Sequence, residues 1–163
     1  NTPLSKELIF QLHDIIEKNG KLKRIEFRGP TPPGVLFAVY DDKTKCPEYI
    51  PPEWCDVEPL IDELITWFYN NQHLPAPILA AITSYAFVSI HPFQDGNGRV
   101  GRLIMFKECL ANGIVPFIIT SDLKMFYYKG LQEWGRVRGY LLDTCLTAQD
   151  IYVAKMNFFR IKQ

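Results

Sequence analysis

The chain has 163 residues, 47% of them hydrophobic and 22% charged, and its eighteen basic and eighteen acidic side chains cancel. Such a length buries a core without metal or disulfide staples, and the zero balance gives no global field to draw the chain to nucleic acid or to an anionic membrane. Any anion binding must be local. No apolar run approaches the ~20 residues of a membrane span, no signal peptide opens the chain, and Cys46, Cys55, Cys109 and Cys145 form no C-x-x-C pair, which reads as small buried thiols in a reducing, cytoplasmic setting. The first residue is Asn1 rather than methionine, so the expectation is one domain over 1–163 excised from a longer chain.

Helical periodicity dominates from the start. Leu8, Ile9, Leu12, Ile15 and Ile16 make one apolar stripe, with Ser5 as N-cap and Asn19-Gly20 as a stop. Residues 34–50 read otherwise. Val35, Phe37 and Val39 alternate with Leu36, Ala38 and Tyr40, and "DDKTKCPEY" offers a turn and a return strand. "GPTPPG" before and "IPP" after isolate this β-hairpin from its surroundings. A second helix runs from about Asp56, with Val57, Leu60, Ile61, Leu64, Ile65 and Phe68 inward and Pro59 tolerated in the first turn. A third runs from about Ala76 to Ser89. After a glycine-rich stretch, Val100, Leu103, Ile104, Phe106 and Leu110 give a fourth, closed by Asn112-Gly113. Asp122 caps a fifth containing Leu123, Phe126, Tyr127, Leu131 and Trp134, and the tail is helical again, broken in two. The fold class is all-α with one small β-hairpin.

The stretch between the third and fourth helices, "SIHPFQDGNGRVGR", holds a G-x-G-x-x-G pattern at Gly96, Gly98 and Gly101. A dinucleotide-binding turn needs a strand before those glycines; "APILAAITSYAFVSI" is instead helical by length and alanine content. A plain helix–loop–helix turn explains Pro92 and Gly96, but not a histidine, an aspartate, an asparagine and two arginines crowded together. A phosphate site with its own base uses all of them. The helix beginning near Arg99 brings unpaired N–H groups to Gly96–Arg99, the glycines admit an anion, and Asn97 adds a side-chain donor. Arg99 and Arg102 lie three apart and grip phosphate oxygens as forks. Asp95 is a hard oxygen ligand suited to Mg²⁺, and His91 titrates near neutral pH and takes the proton of an incoming hydroxyl.

"HPFQDGNGRVGR", residues 91–102, resembles the signature of the Fic family, H-P-F-x-[D/E]-G-N-[G/K]-R-x-x-R, at every specified position. "LHDII", "YIPPEW" and "FYYKGL" are similar to the family's flanking segments, while Ser84 stands where many relatives carry histidine. The resemblance implies a protein adenylyltransferase that moves AMP from ATP to a hydroxyl of a target protein and releases pyrophosphate. It implies His91 as base, Asp95 as Mg²⁺ ligand, Gly96, Asn97 and Gly98 as anion hole, and Arg99 and Arg102 on the β- and γ-phosphates. Phe93 would point into the core. Gly98 resembles the AMP-transferring branch, since lysine there marks the phosphoryl-transferring one. The hairpin would be the flap that holds the target segment as an added strand. Tyr127, Tyr128 and Leu131 resemble adenine-side contacts, though residues on such a stripe also read as core, and Gly135 replaces a frequent asparagine.

Many relatives are inhibited by a helix bearing [S/T]-x-x-x-E-[G/N], whose glutamate pairs with the second arginine, here Arg102. In this chain Thr44 and Glu48 have the spacing, but Tyr49 follows and Pro47 forbids a helix interior. The inhibitory helix is therefore expected from flanking sequence or a separate small protein, leaving the chain de-repressed. Two rivals stay open: a phosphotransferase or other nucleotide-dependent transferase, and a module that binds nucleotide or partner without turnover. Delivery into a host cell also stays open.

Overall fold

The computed structural model describes residues 2–17, 26–40 and 44–161. In chain order these form α1 (Lys6–Glu17), β1 (Val39–Tyr40), β2 (Pro47–Tyr49), a 3-10 turn at Trp54–Asp56, α2 (Val57–Asn70), α3 (Ala76–Ile90), α4 (Asn97–Ala111), α5 (Ser121–Gln132) and α6 (Gly139–Phe158). Ser5 caps α1 as expected, its Oγ accepting the Leu8 N–H at 3.3 Å. The Asn19-Gly20 stop lies outside the described residues. Gly113, at φ +66°, ends α4. The tail is one helix, α6, rather than two: no glycine or proline interrupts it between Gly139 and Phe158.

Helix α3 is apolar all round, the pattern of a helix buried on more than one side, and it supplies two cores. Leu79, Phe87 and Ile90 join Leu8 and Ile9 of α1, Val57, Ile61, Leu64 and Phe68 of α2, and Val100 and Ile104 of α4. Ile78, Ala80 and Ala81 join Met105 and Cys109 of α4 with Phe117, Tyr127, Leu141 and Cys145. α3 and α4 are thus the central pair, and the glycine-rich loop connects them. Gly101 explains their closeness. A Cβ there would stand 2.7 Å from Val88 Cγ2 and 3.3 Å from the Ser84 backbone oxygen, so the third glycine of the dinucleotide-like pattern serves helix packing.

The stripes were displaced where a face is shared or left open. Ile15, Leu110 and Phe126 are more than half exposed, whereas His13 and Glu108 are buried. The hairpin is shorter than its alternation suggests. Its ladder pairs Val39 with Tyr49 and Tyr40 with Pro47, and Val35 and Leu36 lie outside it, about half exposed. Pro32 and Pro33 lack N–H donors, Gly34 turns at φ +80°, and Val35 N–H bonds back to the Pro32 carbonyl at 3.0 Å; that segment is a turn. Asp41, Asp42 and Lys43, in the expected hairpin turn, lie outside the described residues. Cys109 and Cys145 are buried, and burial pushes their thiols up to about 11 and about 12. Cys46 and Cys55 are exposed, against the expectation of four buried thiols.

At Gly130, α5 meets the start of α6 so closely that a Cβ would stand 2.7 Å from Leu141 Cα and 2.8 Å from its nitrogen. Backbone cannot step aside as a side chain does. Gly130→Ala is expected to destabilise the fold by about 1–3 kcal/mol by overpacking, read as a lower urea midpoint at unchanged slope.

Candidate active site

α3 ends at Ile90, and His91 follows in the left-handed conformation at φ 52°, ψ 56°. Pro92 disfavours the α region for the residue before it, and a non-glycine residue held left-handed costs about 1–3 kcal/mol unless its surroundings fix it. The fixing contacts are explicit. His91 N–H donates to the Phe87 carbonyl at 3.1 Å, and its own carbonyl accepts from Arg28 Nε at 2.8 Å. The ring Nδ1 lies 3.3 Å from the Val88 carbonyl. A carbonyl only accepts, so Nδ1 carries the hydrogen and Nε2 keeps its lone pair. The edge of the ring meets Phe37 at 5.9 Å between centroids.

Burial is the main influence on this imidazole and lowers its pKa; the Val88 bond and Asp95 raise it, Arg28 lowers it, and the net shift is downward. The neutral, proton-accepting form is therefore favoured at neutral pH. A reaction that uses His91 as base is expected to lose rate on the acid side with its midpoint below the ordinary histidine value of about 6.5, which a pH–rate profile of kcat/KM would show.

The loop after His91 is pinned at Phe93, whose side chain is fully buried. Asn97 does the pinning: its Oδ1 accepts the Phe93 N–H at 2.9 Å and its Nδ2 donates to the Phe93 carbonyl at 2.8 Å. This corrects the expectation of a side-chain donor for an anion, because the Asn97 amide is spent on the loop. What Asn97 offers a ligand is its backbone N–H, in the first turn of α4 with those of Gly98 and Arg99, where no intrahelical acceptor exists. Gly96 precedes them at φ +85°, and its N–H donates to Asp95 Oδ1 at 2.6 Å.

Two residues of α1 shape the same loop and had not stood out. His13 is fully buried, stacks on Phe93 at 3.7 Å and 13°, and donates from Nε2 to the Asp95 carbonyl at 2.9 Å. Glu17, also buried, accepts from Arg99 Nη2 at 3.0 Å. Both crowd Gly96, where a Cβ would stand 3.3 Å from Glu17 Oε1 and from His13 Nε2. Ile9, His13 and Glu17 repeat every four residues, so the signal was present as an apolar face continued by two polar side chains.

The two arginines consequently differ. Arg99 is bonded to Glu17 and to Asp95 Oδ2, the latter at 3.1 Å, while Arg102 has no ion pair among the described residues. Arg102 and Gly98 line a cavity of about 400 Å³ together with Ser84, Tyr85, Val88, Met105, Ile119, Lys124, Tyr127 and Tyr128. The Tyr127 hydroxyl donates to the Ala81 carbonyl at 3.0 Å, which leaves its ring as the cavity wall. Lys124 Nζ sits 5.6 Å over the Tyr128 ring and adds a cation that the motif did not announce. Leu131 is half-buried against the second core and does not line this cavity.

A family model described as the Fic/DOC family matches residues 3–109. The chain belongs to that family. Its curated relatives include the protein adenylyltransferase Fic of Aedes aegypti, 37% identical over 112 residues, a match covering 64% of this chain and 22% of that protein. The protein adenylyltransferase Fic of Nematostella vectensis is 34% identical over 119 residues, 69% of this chain and 28% of that one. The chain thus spans about a quarter of these relatives' length. Among solved structures, a Fic-domain-containing signalling protein from Bacteroides thetaiotaomicron superposes with a TM-score of 0.66 at 20% identity, covering 91% of this chain and 59% of that one. Fic-1 of C. elegans gives 0.65 at 23% identity, covering 96% and 45%. Both establish the Fic fold.

The motif offers a divalent cation one carboxylate, Asp95. Among the described residues no group of three or more His, Cys, Asp or Glu side chains is placed to hold a metal. Asp95 is a hard carboxylate with its side chain 73% exposed, of the kind that binds Mg²⁺ through water and substrate phosphates, although its Oδ1 accepts the Gly96 N–H and its Oδ2 is paired with Arg99. Among the described residues no helix is long and apolar enough to cross a membrane.

Proposed function

We propose that this Fic chain is a protein adenylyltransferase that transfers AMP from ATP to a hydroxyl side chain of a protein target. The observation that carries this reading is the His91 ring, held as the Nδ1–H tautomer by the Val88 carbonyl and pushed toward its neutral form by burial. The target oxygen attacks the α-phosphorus, its proton passes to His91 Nε2, and the bond to the β-phosphate breaks to release pyrophosphate. Most of the catalysis is positioning and charge neutralisation. Arg102 and the N–H groups of Asn97 and Gly98 would hold the phosphates, with Gly96 giving the anion room to approach. Tyr127 and Tyr128 would face the base; Leu131 would act from behind them. Mg²⁺, held at Asp95, would supply positive charge to the phosphates. Arg99, tied to Glu17, would reach the phosphates from a fixed position.

The paired strands β1 and β2 would present their edge to the target segment as a flap; the Tyr49 hydroxyl, donating to the Ser89 carbonyl at 2.7 Å, supports a flap seated on α3. An inhibitory helix from flanking sequence or a separate small protein would find Arg102 without an ion pair to break. Two buried thiols and two exposed ones without a disulfide suit a cytoplasmic setting.

Transfer from ATP labelled at the α- or, separately, the γ-phosphate, with Mg²⁺ and a lysate as target, tests the reading. Label from the α-phosphate alone is expected. Label from the γ-phosphate alone would move the chain to phosphoryl transfer despite Gly98, and ATP binding without transfer from either would favour a binding module.

A further inference from the structure

The side chain of Arg28 lies outside the motif, is buried, and has no carboxylate within ion-pair distance among the described residues. Burying a cation is costly: desolvation lowers its pKa, and the charge of Glu53, too far for an ion pair, offsets that only in part. Its satisfaction comes from carbonyls. Nε donates to His91 O at 2.8 Å and Nη2 to Pro52 O and, at 3.5 Å, to Ile90 O. Ile90 and His91 close α3, so the guanidinium sits at the negative end of that helix. The Arg28 backbone N–H adds a bond to Pro92 O at 2.8 Å. Three consecutive carbonyls around the base are therefore held by one residue.

The other side of Arg28 faces the flap. Its guanidinium carbon lies 4.6 Å from the centroid of Phe37, just before β1, and Pro52 follows β2. Phe37 in turn meets the His91 ring. Arg28, Phe37 and His91 form a closed triangle joining the segment that enters the flap to the base.

We propose that Arg28 is a positioning residue that fixes the left-handed backbone of His91 and couples its alignment to the flap. This rests on the adenylyltransferase reading. Lysine cannot replace it, because a single ammonium does not span the His91 and Pro52 carbonyls as a planar fork does.

The test compares the parent with Arg28→Lys, Arg28→Met and Phe37→Leu. Both Arg28 variants are expected to lose about 10- to 100-fold in kcat, with ATP affinity by calorimetry within about twofold, since Arg102 and the tyrosine-walled cavity do not touch Arg28. Phe37→Leu keeps the buried charge in place, so it guards against a folding failure; with the lysate as target it is expected to need more lysate for half-maximal transfer and to leave ATP affinity alone. Unchanged kcat in Arg28→Met, or restoration by Arg28→Lys, would overturn the proposal, as would parallel loss of transfer, ATP affinity and melting temperature in all three variants. Nitrogen-15 NMR of the His91 ring separates this from failure of the functional reading. A parent without transfer would sink that reading, yet an Nδ1–H tautomer that becomes a mixture in Arg28→Met would still support positioning; an unchanged ring spectrum would refute it.

Discussion

Replacing His91 by alanine is expected to lower AMP transfer by about 10²–10⁴-fold, the range carried by a positioned general base, while ATP still binds. The two halves of this result come from different parts of the molecule. The base is one lone pair, on Nε2, made available because Nδ1 is committed to the Val88 carbonyl. His13 does not stand in, being buried beneath Phe93 with its Nε2–H given to Asp95 O. The nucleotide side is assembled from Gly98, Arg102, Tyr85, Tyr127 and Tyr128 around their own cavity, none of which depends on the His91 ring. Alanine keeps a Cβ, so the left-handed backbone is strained no more than before, and Arg28 still holds the carbonyl at 91. Label transfer from the α-phosphate, run beside ATP calorimetry, separates the two effects. Transfer within about threefold of the parent would remove His91 from the chemistry. Loss of ATP binding together with transfer would mean that the ring shapes the nucleotide site instead.

The motif was legible because its chemistry is contiguous: base, acid, glycines and arginines occupy twelve successive positions, and the helices on either side announce themselves by periodicity. Helix α3 was legible for the same local reason, since an apolar helix all round must be buried on several sides. What supports the motif was not legible. His13 bonds to a carbonyl 82 residues away, Glu17 reaches Arg99 over the same separation, and Arg28 reaches His91 over 63. In sequence His13 and Glu17 are polar residues on an apolar stripe, and only the packing of α1 against α4 shows that they are inside; Arg28 lies in the irregular segment before β1, where no periodicity marks it. Asn97 is a subtler case. Its place in the motif suggested a donor to a ligand, and the fold turned that amide onto Phe93. The hairpin was overextended because alternation reports a surface with two faces, not the presence of a partner strand; among the described residues no paired strand meets the segment before Val39, and Pro32-Pro33-Gly34 turns the chain away.

Phe93→Ala is expected to be the most damaging stability change in the loop, at about 3–5 kcal/mol for emptying a fully buried aromatic site. At about 2–4 °C per kcal/mol for a chain of this size, the melting temperature should fall by roughly 6–20 °C. The ring is the hub of an aromatic cluster: stacked on His13 at 3.7 Å, tilted against Phe27 at 5.6 Å and Phe87 at 6.3 Å, and edge-on to Phe10 at 5.9 Å. Those partners belong to α1, to the segment before the flap and to α3, so the cavity left by alanine is bounded by elements that cannot all collapse into it. Phe93→Leu refills most of the volume without the stacking, and should recover more than half of the loss. Function should follow a different course from stability. The Asn97 amide grips the backbone of residue 93, not its ring, so in Phe93→Leu the loop retains its clamp while losing the flat surface that orients His13 toward Asp95. Assayed well below its melting temperature, Phe93→Leu should bind ATP like the parent and transfer AMP more slowly. Were Phe93→Ala to lose less than about 1 kcal/mol in urea unfolding, the ring would not be the anchor of the loop, and the Asn97 clamp alone would have to hold His91 and Gly96 in register.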